Sequence, residues 1–390
     1  MIIGKWNMLK SREVSIRFFI FVVASTLGCT STITDSKLGE IANRNQPIVE
    51  KKIEVDSNGE ILENHFPNQF TKIASGIFFA DLTYAWSICG RSESLCATVD
   101  GGKSWQVVNN KDIKPVLKFF FIDPKTGFAV SDLWNNNRRS NTILKTPDGG
   151  KTWKEVLQVP SPIYSVVFSN QTNGVVSARW LPLYVTKDAG QTWQEAGKEP
   201  NNENEFLAVN HGVKYIAFLS EKKVVGYGDG IWSSVDLGRT WENEVDSGAT
   251  EGGVFGASFV DENNGWIVGG SSQLWRMTDG NKWERVEVPE NLLEGDKKQF
   301  TFYRASFINA NEGWISCHNS FPRDISVGKI LHTINSGKTW ETVYESSDQL
   351  GDIKFLDSKK GFALNNARDL LRTLDGGKTW SLQPIVNSTD

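Results

Sequence analysis

The sequence has few of the residues that usually build metal or redox centres: 390 residues contain only four cysteines and four histidines. The histidines show no spacing typical of metal ligands; they are His65, His211, His318 and His332. We therefore expect no metal site and no cofactor. Cys89 and Cys96 flank a predicted hairpin loop and could form a disulfide in an oxidising compartment. The alternative is that both stay reduced, and Cys317 is expected to be unpaired.

Long hydrophobic runs are also scarce. The apolar run 18–26 follows several basic residues, a pattern typical of a secretory signal, and it is too short for a membrane-spanning helix. Gly28-Cys29 after it resembles a bacterial lipoprotein cleavage site, which predicts a signal peptide over residues 1–28 and lipidation of Cys29. The alternative is an ordinary signal peptide in which Cys29 is incidental. In both cases we expect an exported protein.

Helical patterns are rare, and net positive charge is absent. The formal net charge is −4, which argues against general nucleic-acid binding. What the chain does contain is 35 Gly, 22 Phe and 15 Trp, enough for many tight turns around a large core. Residues 29–70 are polar and lack the pattern of the rest, so we expect a tether there, with room for one short strand.

A box of the form Thr-x-Asp-Gly-Gly-Lys-Thr-Trp recurs along the remaining sequence. Its seven copies are Thr98–Trp105, Thr146–Trp153, Thr186–Trp193, Ser234–Trp241, the shortened Met277–Trp283, Thr333–Trp340 and Thr373–Trp380. Successive terminal tryptophans are 40 to 57 residues apart, by subtraction of their positions. A period of this length indicates repeated supersecondary units.

A second motif precedes each box: an apolar strand ending in Phe, a polar turn with Asp or Asn, then Gly and another apolar strand, as in Phe121–Val130. This motif predicts a hairpin. A third strand leads into the box and a fourth follows it, so each repeat forms four antiparallel strands. Seven such repeats predict an all-β fold, a seven-bladed β-propeller over residues 71–390.

The box resembles the Asp-box of bacterial neuraminidases. Its Asp can accept turn N–H groups, its Gly adopts a backbone conformation other residues resist, and its Trp packs between sheets. One carboxylate per turn provides neither a calcium site nor a catalytic acid pair, so we expect a structural role. Asn335 replaces Asp in the sixth box and retains an acceptor. The fifth box has lost one residue, so we expect its turn to close differently while its blade still forms.

The predicted loops between second and third strands lie at the rim opposite the boxes and carry arginines with aromatic neighbours. These candidate partner-binding residues are Arg91, Trp134, Arg138, Arg139, Arg179, Trp180, Phe321, Arg323 and Arg368. Arginine and tryptophan often anchor protein interfaces. The alternative is that these arginines solubilise the surface and pair with acidic loops between blades.

The lipoprotein-like leader, the single seven-bladed propeller and the paired motifs together resemble the photosystem II assembly and stability factor family of cyanobacteria and chloroplasts. The resemblance implies a non-enzymatic, membrane-tethered scaffold that binds a reaction-centre protein. It implies attachment on the lumenal side of thylakoids, or on a periplasmic face, and we expect a monomer. The alternative is a glycan-binding or sialidase-like glycoside hydrolase propeller on the cell surface. The sialidase Arg-Ile-Pro tripeptide does not occur in the sequence, which disfavours the hydrolase.

Overall fold

The computed structural model describes residues 76–89, 94–108, 116–135, 138–179, 182–196, 213–246, 248–250, 252–280, 282–293, 300–319, 328–365 and 367–386, and the structural statements below concern these residues. The chain divides into a unit Met1–Asn64 and a unit His65–Asp390. The predicted signal peptide, the predicted tether and Cys29 lie outside the described residues. Within the described residues, no helix has the length and apolar character needed to cross a membrane.

Each repeat folds into one antiparallel sheet whose strands follow chain order. Blade 1 contains β1 (Ile77–Phe79), β2 (Ala85–Cys89), β3 (Ser94–Thr98) and β4 (Trp105–Val107). Blade 2 contains β5 (Val116–Phe121), β6 (Gly127–Asn135), β7 (Arg138–Thr146) and β8 (Lys154–Val159). Blade 3 contains β9 (Ile163–Phe168), β10 (Gly174–Ala178), β11 (Tyr184–Thr186) and β12 (Gln194–Glu195). Blade 4 contains β13 (Val213–Phe218), β14 (Val224–Gly228), β15 (Ile231–Ser234) and β16 (Glu242–Val245).

The last three blades repeat the plan. Blade 5 contains β17 (Val254–Phe259), β18 (Gly265–Gly269), β19 (Leu274–Thr278) and β20 (Lys282–Arg285), followed by a short 3₁₀ helix at Glu290–Leu292. Blade 6 contains β21 (Phe300–Phe307), β22 (Gly313–Asn319), β23 (Gly328–Thr333) and β24 (Glu341–Ser346). Blade 7 contains β25 (Leu350–Phe355), β26 (Gly361–Asn365), β27 (Leu370–Thr373) and β28 (Ser381–Leu382). A final strand, β29 (Ile385–Val386), pairs in parallel with β4 and so joins the end of the described chain to blade 1.

The hairpin motif forms the turn between the first and second strands. In blade 2, Oδ1 of Asp123 accepts hydrogen bonds from the N–H groups of Lys125 and Thr126, at 2.8 and 2.7 Å. The glycine after the turn leaves room for the phenylalanine before it. A Cβ atom on Gly361 would approach the ring of Phe355 to 2.7 Å, so any larger residue would displace that ring. The motif therefore encodes both the turn and the first packing contact of the blade.

Aromatic rings hold neighbouring blades together. Trp266 of blade 5 stacks on Phe307 of blade 6, with ring centroids 3.6 Å apart and planes 3° from parallel. Trp340, the box tryptophan of blade 6, meets the same Phe307 edge-on at 6.3 Å. Trp314 and Trp380 repeat this arrangement around Phe355 in blade 7. Such parallel and edge-on pairs add to the free energy gained from burial alone.

The buried hydrophobic residues form seven clusters, and each one lies between two consecutive blades. Phe119 and Phe121 of blade 2, for example, pack with Trp86 of blade 1. The cluster that contains Phe79 and Phe362 joins blade 1 to blade 7. The ring is therefore closed, and the prediction of an all-β, seven-bladed propeller is confirmed.

The boxes are hydrogen-bonded turns, as the sequence predicted. In the first box, Oδ1 of Asp100 accepts hydrogen bonds from Thr98 Oγ1 and from the N–H groups of Lys103 and Ser104, at 2.7 to 3.0 Å. The fifth blade forms despite its shortened box. There Thr278 Oγ1 donates to the carbonyl of Lys282 at 3.4 Å, and Asp279 adopts a left-handed φ of 54°.

Candidate functional site

The boxes and the turns between first and second strands share one rim of the propeller. The N–H of Gly149 in the second box donates to the carbonyl of Lys125 at 2.8 Å, and Gly376 in the seventh donates to Lys359 at 2.9 Å. Because strands run antiparallel, the connections between second and third strands lie at the opposite end of each sheet. We call that end the loop rim; it includes Arg179, Arg368 and the end of the β6–β7 hairpin.

Two of the predicted partner-binding arginines are described in full on the loop rim. Arg179 is exposed, and its backbone is fixed on both sides: its N–H donates to Pro162 at 2.8 Å, and its carbonyl accepts from Ser161 Oγ at 2.7 Å. Arg368 is half-buried, with a left-handed φ of 60°, and its N–H donates to Asn365 at 2.9 Å. Both residues therefore sit at the predicted rim on ordered backbone.

The other predicted residues are described only in part. The hairpin of β6 and β7 continues to its tip, with Trp134 paired to Arg139 and Asn135 to Arg138, but their side chains lie outside the described residues. So do four further residues: Arg91, Trp180, Phe321 and Arg323. A continuous arginine patch on the loop rim stays a prediction.

The structure adds a feature that sequence reasoning missed, on the innermost strands. The first strand of every blade lies at the inner edge of its sheet, where first strands of adjacent blades meet. In each of blades 2 to 7 this strand carries one extra residue relative to its partner, a β-bulge. Bulges redirect side chains. Polar residues at or next to these bulges line the central channel.

Seven residues from five of these inner strands and one second strand come together; we call them the channel cluster. They are Lys118, Tyr164, Tyr215, Tyr227, Tyr303, Arg304 and Asp352. Lys118 Nζ donates to the carbonyls of Ile163 and Tyr164, and it lies 5.8 and 5.7 Å from the ring centroids of Tyr164 and Tyr215. The amine is thus held between two aromatic rings.

Arg304 and Asp352 form the opposite side of the channel cluster. Arg304 Nε lies 2.6 Å from Asp352 Oδ1, with side chains only 20% and 10% exposed. The guanidinium also stacks against the ring of Tyr303, at 4.8 Å, and donates to the Tyr303 carbonyl. The second carboxylate oxygen of Asp352 accepts the N–H of Gly76 from blade 1. Arg304 and Asp352 are therefore rigidly placed.

Burial and like charge shift the titration of the channel cluster. Burial, with a smaller contribution from Arg304, lowers the pKa of Lys118 to about 8. Burial raises the pKa of Tyr215 and of Tyr227. The Tyr227 hydroxyl is fully buried and has no hydrogen-bond partner within the described part of the chain. Lys354, further along β25, has a pKa lowered to about 8 by burial.

The channel cluster combines cationic, hydroxyl and aromatic groups with a single carboxylate. Asp352 is the one carboxylate of the channel cluster, and it is ion-paired with Arg304. No group of three or more candidate metal ligands occurs among the residues that the structure describes. Away from the channel, Cys89 and Cys96 form a disulfide across the β2–β3 hairpin, with Cα atoms 6.0 Å apart. Cys317 is free, and burial raises the pKa of its thiol to about 12.

The fold and the boxes define the chain as an Asp-box propeller. The family model described as "Photosynthesis system II assembly factor YCF48" matches residues 241–351. The "Photosystem II assembly protein Ycf48" of Synechococcus sp. (strain JA-3-3Ab) is 22% identical over 195 residues, covering 49% of this chain and 52% of the relative. The chain thus spans about half the length of this curated relative. Over residues 241–351 the chain is similar to the photosystem II assembly factor family.

Solved structures with the same fold come from two functional classes. "YCF48 bound to D1 peptide" has a TM-score of 0.54 and 18% identity, covering 78% of this chain and 94% of that one. A GH74 enzyme from Niastella koreensis has a TM-score of 0.60 and 15% identity, covering 80% of this chain and 54% of that one. At these identities the likeness shows the fold alone.

Proposed function

We propose that this protein is a non-enzymatic assembly factor that binds an extended segment of a photosystem II reaction-centre protein. The family match over residues 241–351 carries this proposal, because it points to assembly factors rather than to hydrolases. The curated relative supports the same role. A propeller of similar fold has been solved bound to D1 peptide, and this likeness supports the proposal.

The chemistry of the described residues supports a binding role. The box aspartates are engaged in their own turns, as Asp188 shows with hydrogen bonds from Thr186 Oγ1, Gln191 N and Thr192 N and Oγ1. Glycoside hydrolysis by the usual route needs two carboxyl groups facing one bond. The channel cluster contains one carboxyl group, that of Asp352, and it is ion-paired with Arg304.

The proposal includes a membrane location. An N-terminal signal and lipidation at Cys29 would hold the propeller near newly made membrane subunits, on the lumenal side of a thylakoid or a periplasmic face. Metabolic labelling with a radioactive fatty acid tests this point. Labelling of the parent and not of Cys29→Ala would support it, and equal labelling would contradict it.

The decisive experiment is charge reversal on the loop rim. Arg138, Arg139, Arg179 and Arg323 are changed together to Glu, and the tagged protein is used to capture partners from native thylakoid membranes. We expect recovery of the reaction-centre subunit to fall at least tenfold, because anchoring arginines dominate such interfaces. The midpoint of thermal unfolding should stay nearly unchanged.

The matched control reverses four exposed lysines of the box rim. These are Lys103, Lys151, Lys338 and Lys378, and the change in net charge is the same. Equal losses of partner in both variants would mean that net charge, rather than the loop rim, decides capture. Unchanged recovery in both would refute the loop rim as the binding surface.

A glycoside hydrolase is the second candidate, because a GH74 enzyme shares the propeller fold with a TM-score of 0.60. A hydrolase would release reducing sugar from a plant glucan or a sialoside, and such release by the purified protein would overturn the non-enzymatic proposal.

A further inference from the structure

The channel cluster has three properties that the fold itself does not require. It brings two cationic side chains, Lys118 of blade 2 and Arg304 of blade 6, close enough to repel each other. It surrounds them with tyrosines, two of which also hold the Lys118 amine by cation–π contacts. It includes a fully buried tyrosine hydroxyl, that of Tyr227, which lacks a hydrogen-bond partner in the described part of the chain. A propeller core of apolar residues would avoid all three costs.

The cluster is enclosed but still open to solvent. Lys118, Tyr164 and Tyr215 are half-buried, and the Arg304 side chain keeps 20% of its surface exposed. These four residues lie at or next to the bulges of the first strands, and bulges redirect side chains. A small group entering the channel would therefore meet charged and hydroxyl donors together.

The charge of the cluster indicates which group fits. Lys118 and Arg304 contribute two positive charges, and Asp352 contributes one negative charge, so the net charge is positive by one. One carboxylate would neutralise this charge, whereas a phosphate dianion would exceed it. Guanidinium and ammonium groups bind carboxylates through charge-assisted hydrogen bonds. Tyrosine hydroxyls add donors suited to carboxylate oxygens.

From this arrangement we infer that the channel cluster is a binding site for a single carboxylate. Lys118 and Arg304 hold its oxygens, and the rings of Tyr164 and Tyr215 flank the group that carries it. If the proposed function is correct, the carboxylate belongs to the bound peptide segment, either at its chain terminus or on an acidic side chain. This identification of the ligand rests on the proposed function. The loop rim would then hold the rest of the segment.

Small matched probes test the site without any partner protein. N-acetylglycine and N-acetylglycinamide differ only in the carboxylate, and saturation-transfer NMR on the purified full-length protein measures the binding of each. Aspartate with both ends blocked presents the same group on a side chain, and inorganic phosphate tests a dianion. We expect both carboxylates to bind at least tenfold more tightly than the amide and more tightly than phosphate.

Lys118→Met and Lys214→Met form the matched pair of variants. Both remove one lysine from an inner strand, but Lys214 is already paired with Asp229 at 2.6 Å. Lys118→Met should weaken carboxylate binding about tenfold or more, as expected for the loss of a charge-assisted hydrogen bond. Lys214→Met should change the affinity for the carboxylate by no more than about twofold. Circular dichroism checks that both variants fold.

The outcomes separate this inference from the proposed function. Equal binding of acid and amide, or equal losses in the two variants, would overturn the carboxylate site. A carboxylate preference that depends on Lys118 would support it even if no reaction-centre protein is captured from membranes. If Lys118→Met captures as much partner as the parent, and the acid and amide probes bind equally, the carboxylate site is refuted. The proposed function is not affected by that result.

Discussion

The turn of the seventh box should depend on the carboxylate of Asp375. Its Oδ1 accepts hydrogen bonds from Thr373 Oγ1, Lys378 N and Thr379 N at 2.8, 3.1 and 2.9 Å, and Oδ2 accepts from Thr379 Oγ1 at 2.6 Å. Each bond contributes about 0.5–1.5 kcal/mol. Because the turn is exposed, water can hydrogen-bond to the freed donors when the carboxylate is removed, and this offsets much of the lost stabilisation. We expect Asp375→Ala to lower the free energy of unfolding by about 2 kcal/mol.

The sixth box shows what an amide can replace. Asn335 Oδ1 accepts from Thr333 Oγ1 and Thr339 N at 3.1 and 2.9 Å, while Nδ2 donates to Thr339 Oγ1 at 2.7 Å. The turn therefore keeps its geometry without charge. Asp375→Asn should lower the free energy of unfolding by less than about 1 kcal/mol, and Asn335→Asp should raise it by a similar amount.

Acid should separate these variants further. Hydrogen bonds from the side chain and backbone of Thr379, then from Thr373 and Lys378, lower the pKa of Asp375 from 3.8 to about 2. Because the folded pKa is the lower one, the stabilisation is complete above pH 3.8 and is lost as pH falls towards 2. Asp375→Asn should lose part of this acid sensitivity, and Asn335→Asp should add to it.

Urea denaturation followed by tryptophan fluorescence, repeated from pH 7 to pH 2, measures all three variants. Asp348→Ala is the control, because Asp348 is exposed on a loop that contains no box. If Asp375→Ala is as stable as Asp348→Ala, or if Asp375→Asn keeps the acid slope of the parent, the carboxylate does not hold the turn.

Three further predictions concern the closure and the interior of the ring. Replacing Cys89 and Cys96 by Ala should lower the free energy of unfolding by about 2 kcal/mol through loop entropy, and an unchanged urea midpoint would contradict this. Ending the chain after Pro384 removes β29 from β4 and should speed hydrogen exchange in β4; unchanged exchange there would show that the final strand adds nothing to closure. Burial lowers the pKa of Lys118 and of Lys354 to about 8, so the unfolded chain binds more protons above that value and stability should rise from pH 8 towards pH 10. Replacing both lysines by Met should flatten that rise, and a parent curve that falls over the same window would refute it.

The fold could be predicted because its signals are local and repeated. Asp123 and Asp375 each accept hydrogen bonds from N–H groups no more than four residues away, so the local sequence specifies the geometry of the turn. The pairing of Phe355 with Gly361 is likewise a contact within one hairpin. When seven such units follow one another, closing them into a ring buries both faces of every sheet.

The candidate site could be predicted only in part. Arg179 and Arg368 lie at the rim where the strand order placed them, because loop position follows directly from the antiparallel order. The channel cluster was missed because Lys118 and Arg304 stand in motifs that look like ordinary strands. A signal was present in the polar residues that interrupt the apolar first strands, such as Lys118 in Val116–Phe121.

By itself, the sequence determined the repeat, the turns and hence the number of blades, since each depends on residues close together in the chain. Only the tertiary structure decided which inner-strand side chains meet. The bulges shift the register by one residue, which changes the direction of a side chain, and ring closure brings blades 2, 3, 4, 6 and 7 to a common channel. Lys118, Arg304 and Asp352 are neighbours for that reason.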